Sequence, residues 1–231
     1  MTEPLLLLPG MMCDGRLFGP QAKAIAAERD VVHGDITGAA DMGTLARQVL
    51  EAAPRRFALA GLSMGGIVAM EVIRQAPERV TRLALLDTNP RAELPEVQAR
   101  RGPQIEAVRS GGLERVMREE LKPNYLTEGP RHDEILDLCM AMALSLGSEV
   151  FERQSIALRD RPDQQESLRG VKVPTLILCG RQDALCPVER HERMHDLIAG
   201  SRLVIVEEAG HMPTLERPGA VTEALSGWLA A

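Results

Sequence analysis

Gly61-Leu62-Ser63-Met64-Gly65 constrains this chain more than any other stretch. The pattern G-x-S-x-G is that of a strand turning sharply into a helix, with the serine at the apex in a strained backbone conformation. Glycines are demanded two residues before and after the serine, because a side chain there would collide with the neighbouring strand or helix. The flanks supply the two elements that such a turn needs. Arg56-Phe57-Ala58-Leu59-Ala60 reads as a short buried strand, and Ile67 to Ala76 as a helix that stops at Pro77.

The same rhythm extends on both sides. Leu5-Leu6-Leu7-Leu8 is a continuous apolar run ended by Pro9-Gly10, as in a strand buried on both faces. A helix is expected over about Pro20 to Glu28, a short strand at Val31-Val32, and a helix N-capped by Asp41 that ends at Pro54. Val80 to Leu86 is a fourth strand. From Arg91 to about Gly170 helical periodicity replaces strands, with Gly102-Pro103, Gly111-Gly112, Lys122-Pro123 and Gly129-Pro130 separating the pieces. Thr175 to Cys179 and Arg202 to Val206 resume the strands, with helices over Val188 to Ala199 and Pro218 to Leu229. Six strands alternating with helices predict an α/β fold: a doubly wound, mainly parallel six-stranded sheet covered on both faces. A length of 231 residues suits one core carrying one insertion. The expected division is a core of 1–90 and 171–231, interrupted by a helical insertion over 91–170.

The net charge of -6 argues against nucleic acid or an anionic membrane as partner. No apolar run approaches transmembrane length, and the first residues lack a basic signal-peptide start, so the expected setting is the cytoplasm. Cys13, Cys139, Cys179 and Cys186 make no metal-ligand spacing; Cys179 and Cys186 lie close enough for a disulfide, but reduced thiols are expected. With one Trp, one Tyr and three Phe against 11 Met, an apolar pocket must be lined chiefly by Leu, Met, Val and Ile.

In a doubly wound sheet, reactive groups gather at the carboxyl ends of the strands. The polar residues expected there are Ser63, Asp87, Asp183 and His211. Ser63 is the candidate nucleophile, His211 the base that takes its proton and returns it to the leaving group, and Asp183 the acid that fixes the imidazole tautomer. Asp87 competes for the acid's role and is read as a loop hydrogen-bonding group. The backbone N–H groups of Met64, at the start of the serine's helix, and of Met11, in the turn after the first strand, are the expected oxyanion donors.

These segments together resemble the α/β-hydrolases, in particular the branch of cofactor-free carboxylesterases, proline iminopeptidases and haloperoxidases. The resemblance is carried by Leu7-Leu8-Pro9-Gly10-Met11, Gly61 to Gly66, Pro174 to Asp183 and Gly210-His211-Met212-Pro213. It covers the chain except the helical insertion, which stands where this family carries its cap. It implies a serine hydrolase without cofactor or metal, acting as a carboxylesterase on a small-molecule ester with a small or medium apolar acyl group. The same three residues would also serve an amidase or peptidase, a C–C hydrolase or an acyltransferase. Two departures stand out: no antiparallel hairpin precedes Leu5, and Pro9-Gly10 replaces the family's His-Gly, which leaves Met12 open beside Met11 as the second donor.

Two readings of other classes compete. His191-Glu192-Arg193-Met194-His195 matches H-E-x-x-H, which on a helix would hold zinc between His191 and His195. Ile198 stands where the extended zinc motif needs glycine, and Val188, Met194, Leu197 and Ile198 already give this helix a packing face, so a chance match is expected. The other is a ligand-binding protein on a hydrolase scaffold. His33 and His132 have no evident partner, Arg55-Arg56 and Arg100-Arg101 read as solvated pairs, and Cys139-Met140-Ala141-Met142 reads as core, with a place in the pocket left open by its position in the cap.

Overall fold

The computed structural model describes residues 2–231. In chain order its elements are β1 (Leu5–Leu8), α1 (Gly19–Ile25), β2 (Val31–His33), α2 (Met42–Ala52), β3 (Phe57–Leu62), α3 (Met64–Gln75) and β4 (Val80–Leu86). There follow α4 (Pro95–Ala107), α5 (Leu113–Arg115), α6 (His132–Leu146), α7 (Ser148–Arg159) and α8 (Gln165–Arg169). The chain closes with β5 (Thr175–Gly180), α9 (Val188–Leu197), β6 (Arg202–Val206), α10 (Pro213–Glu216) and α11 (Pro218–Ala230).

The six strands form one parallel sheet in the order β2-β1-β3-β4-β5-β6. Parallel neighbours need long crossovers, and the helices provide them. Because side chains alternate across a strand, β1 feeds two separate apolar layers. Leu6 and Leu8 join Leu59, Leu85 and Ile177 beneath α2, α3 and α9, whereas Leu5 and Leu7 join Ala60, Leu86 and Leu178 beneath α1 and α11. A strand buried on both faces has no polar alternate positions, which is why Leu5–Leu8 is uniformly apolar. At the start of α2 the Asp41 carboxylate accepts the Thr44 N–H at 2.8 Å, as its sequence position predicts.

Between β4 and β5 the described residues form helices joined by loops, with no strand. Here one expected break is absent. Gly102-Pro103 does not separate two pieces, because α4 runs straight through Pro103. A helix-interior proline deprives the carbonyl four residues earlier of its donor, at a cost of about 3 kcal/mol. That carbonyl belongs to Ala99, which is exposed like Pro103 itself, so water can replace the lost bond. The opposite side of α4 is anchored by buried Arg101 and Ile105, followed by Val108. Gly111, with φ of 90°, does break the helical path.

Candidate active site

The serine turn has the steric character expected of it. A Cβ on Gly61 would lie 2.3 Å from the Gly65 carbonyl oxygen, and one on Gly65 would lie 2.1 Å from that of Leu8. β1, β3 and α3 therefore meet at a distance that only glycine permits. Ser63 sits at φ 54° and ψ -116°, outside the usual range for a side-chain-bearing residue. It is held there by its N–H to the Leu86 carbonyl at 2.9 Å and by the Thr88 hydroxyl, which donates to the Ser63 carbonyl at 2.7 Å. Met12, Asp87 and Glu208 also have positive φ, so the strained non-glycine residues follow β1, β3, β4 and β6. Strain of this kind persists only where the surroundings over-determine it.

Three of the four polar residues expected at this edge are joined in one chain of hydrogen bonds. His211 Nε2 lies 2.9 Å from Ser63 Oγ, and His211 Nδ1 lies 2.8 Å from Asp183 Oδ2. A carboxylate only accepts, so Nδ1 carries the ring proton and Nε2 is left to accept from the serine hydroxyl. Asp183 Oδ1 in turn accepts the N–H groups of Leu185 and Cys186 at 2.8 and 2.9 Å. Burial pushes the Asp183 carboxyl upward, but His211 and these two N–H donors outweigh it and hold the group below the usual carboxylate range. His211 is fixed from its backbone as well: its N–H donates to the Tyr125 carbonyl at 2.7 Å, and the two rings meet edge to face with centroids 5.5 Å apart.

Asp87 lies beside Asp183, but it is Asp183 that His211 Nδ1 meets. Asp87 is fully buried, and its Oδ1 accepts the Gly180 N–H at 2.8 Å. Burial, and then the neighbouring Asp183 charge, push its carboxyl well above the ordinary range. A carboxyl kept protonated is a poor partner for an imidazolium.

The two candidate backbone donors differ in how they are engaged. Met64 is the first residue of α3, where an N–H has no partner within the helix. In the turn after β1, the Met12 N–H is already given to Gln154 Oε1 at 2.8 Å and the Cys13 N–H to the Gly10 carbonyl at 3.1 Å. Gly10 packs against Ser63, with a built Cβ only 3.5 Å from the serine's own. Met11 and Ser63 both line a cavity of about 260 Å³, whose walls include Ile67, Leu121, Tyr125 and Leu158.

The paired histidines of α9 point to different partners. His191 is fully buried; its Nε2 accepts the Thr88 N–H at 3.0 Å, and its Nδ1 faces the Pro187 carbonyl at 3.3 Å. Burial lowers its pKa to about 4, so the ring is neutral and braces the loop beside Ser63. His195 pairs with the Ser201 hydroxyl at 2.8 Å. Among the described residues, the compact group of potential ligands is Asp183, Cys186 and His211, where burial holds the Cys186 thiol well above its usual pKa.

Sequence reasoning did not single out Tyr125, Gln154, Glu93 or Arg161, and it misread Arg101. The arginine is 9% exposed, not solvated, and lines the cavity together with Glu93 and Arg161. His132, in contrast, has a partner, the adjacent Asp133 carboxylate at 2.9 Å.

With fold and geometry in hand, the class is clear: the chain belongs to the alpha/beta hydrolase family, whose model matches residues 5–224. A pimeloyl-[acyl-carrier protein] methyl ester esterase of Aliivibrio fischeri is 27% identical over 203 residues, spanning 78% of this chain and 72% of that one. A thermophilic esterase from Thermogutta terrifontis, solved with malate bound, superposes with a TM-score of 0.91 at 31% identity, covering 100% of this chain and 90% of that one. An enol-lactonase from Burkholderia xenovorans shares the fold with a TM-score of 0.88 at 22% identity, covering 100% and 92% of the two chains.

Proposed function

We propose that this protein is a serine-dependent carboxylic ester hydrolase acting on a small-molecule ester. The observation that carries the reading is the unbroken Ser63–His211–Asp183 hydrogen-bond chain, 2.9 and 2.8 Å long, opening on the cavity. Ser63 Oγ attacks the ester carbonyl while His211 takes its proton, and the imidazolium that forms is stabilised by Asp183. His211 then returns the proton to the departing alcohol. A water deprotonated by His211 releases the acid from Ser63 in the second half of the cycle. The N–H groups of Met11 and Met64 stabilise the oxyanion at both tetrahedral stages; a single such donor is typically worth about 3 kcal/mol.

Residues 91–170 form the cap of this hydrolase in our reading, since Tyr125, Leu121 and Leu158 come from them and line the cavity. An ester in place of an amide is supported by the names of the relatives, which are esterases. Four buried free thiols suit a reducing cytoplasm, and no helix among the described residues is long and apolar enough to cross a membrane. The reading is tested by a fluorophosphonate probe. One equivalent of label is expected on Ser63, accompanied by loss of p-nitrophenyl butyrate hydrolysis; full activity after complete labelling of Ser63 would refute it.

A further inference from the structure

Glu93 lies between two guanidinium groups. Arg101 Nη2 meets its Oε2 at 3.0 Å and Arg161 Nη2 meets its Oε1 at 2.9 Å, and all three side chains are buried. One carboxylate between two arginines leaves an uncompensated positive charge, which is costly in a buried place unless something pairs with it. The two arginines are not equally satisfied. Arg161 also donates to the Arg91 carbonyl at 2.9 Å and towards that of Leu158 at 3.5 Å. Arg101 has Nε buried without a partner, and its Nη1 finds only the Met11 sulfur at 3.6 Å, a weak acceptor.

This unsatisfied guanidinium belongs to the wall of the cavity that Ser63 opens into. The lining carries Arg100, Arg101, Arg161 and Arg190 against Glu93 and Glu120, four positive charges against two, on a chain whose net charge is -6. The positive excess is therefore local to the cavity. The contact between Arg101 and Met11 also sets the guanidinium beside the turn that follows β1. A cavity of about 260 Å³ accommodates a small molecule whose reacting carbonyl and charged end are separated by a short chain.

From this we infer that the substrate bears a carboxylate, bound by Arg101 of the Arg101–Glu93–Arg161 cluster while Ser63 attacks an ester elsewhere in the same molecule. The inference rests on the hydrolase reading of Ser63 and adds the substrate class: a half-ester of a short dicarboxylic acid. A guanidinium fork matches a carboxylate in shape and charge, and each such hydrogen bond is charge-assisted. The apolar walls take the methylene chain between the two ends.

The test compares p-nitrophenyl hydrogen glutarate with neutral p-nitrophenyl pentanoate of similar length. The charged ester is expected to have the higher kcat/KM by about tenfold or more, mostly through KM, with the advantage shrinking as salt rises. In Arg101→Met the ratio between the two esters should fall to about one, and in Arg101→Lys it should be partly kept. Calorimetric binding of glutarate to Ser63→Ala, alone and combined with Arg101→Met, gives a readout independent of turnover. Glutarate binding that requires Arg101, in a protein inactive on both esters, would keep the carboxylate site and defeat the hydrolase reading. Turnover of both esters without preference, and no glutarate binding, would defeat the carboxylate site and keep the hydrolase reading. A preference that survives Arg101→Met would overturn the assignment to Arg101.

Discussion

Gln154 Oε1 accepts the Met12 N–H at 2.8 Å, while Gln154 Nε2 donates to the Ile36 carbonyl at 3.1 Å. A fully buried glutamine of α7 thus ties down the turn after β1, whose Met12 has φ of 54°. By engaging Met12 it leaves Met11 as the proposed oxyanion donor. Gln154→Leu should leave a buried N–H unsatisfied and lower stability by about 1–3 kcal/mol in a denaturant titration. It should also lower kcat for p-nitrophenyl butyrate by about tenfold or more with little change in KM, because the donor acts on the transition state. An unchanged kcat would separate Gln154 from the oxyanion turn.

The serine turn depends on the absence of a single methyl group. In Gly65→Ala the new Cβ would lie 2.1 Å from the Leu8 carbonyl oxygen and 2.5 Å from that of Pro9, both backbone atoms that cannot swing aside. We expect a loss of about 3 kcal/mol or more in equilibrium unfolding, in the upper range for overpacking. Gly102→Ala is the control, since a Cβ there meets nothing within 4 Å, and it should change stability by no more than about 1 kcal/mol in the stabilising direction.

Asp183 and Asp87 are separable by kinetics. Asp183 Oδ2 is bonded to His211 Nδ1, whereas the Asp87 carboxyl is bonded to the Gly180 N–H. Asp183→Asn would present an amide able to turn the imidazole to the wrong tautomer, a change expected to lower kcat by about 10,000-fold. Asp87→Asn should stay within about tenfold of the parent, since asparagine retains an oxygen for the Gly180 N–H. Reversal of these two results would make Asp87 the acid.

Asp87 also predicts a pH-dependent stability difference. Its carboxyl pKa is raised in the folded chain, first by burial and then by the Asp183 charge. Such a group supports folding below its unfolded pKa and withdraws that support as pH rises towards its folded value. The amide introduced by Asp87→Asn never ionises, so the melting temperature of this variant relative to the parent should increase from pH 5 to pH 8. A difference that is constant or shrinks with pH would mean that Asp87 folds as a carboxylate.

The sheet and the serine turn were legible in the sequence because their causes are local. Four consecutive leucines before Pro9-Gly10, or two glycines framing Ser63, carry their structural consequence within a few residues. The Arg101 cluster was not legible, because an arginine's burial depends on partners at Glu93 and Arg161 that the chain brings together only in three dimensions. Arg100-Arg101 looks the same in sequence whether one member is buried or neither is. Likewise, Gly102-Pro103 reads as a break until α4 presents Pro103 to water and Ile105 to the core. The H-E-x-x-H match reads as a chance one, but the partner of His191 was not legible, because the Thr88 N–H that it accepts comes from a distant loop.

The most direct test of the central claim is the steady-state hydrolysis of p-nitrophenyl butyrate by the parent protein and by Ser63→Ala, with folding of both checked by circular dichroism. The account predicts measurable turnover in the parent and a kcat lower by about 10,000-fold or more in the variant, because attack by Ser63 Oγ is lost while the fold remains. Equal turnover by a folded Ser63→Ala protein would contradict it.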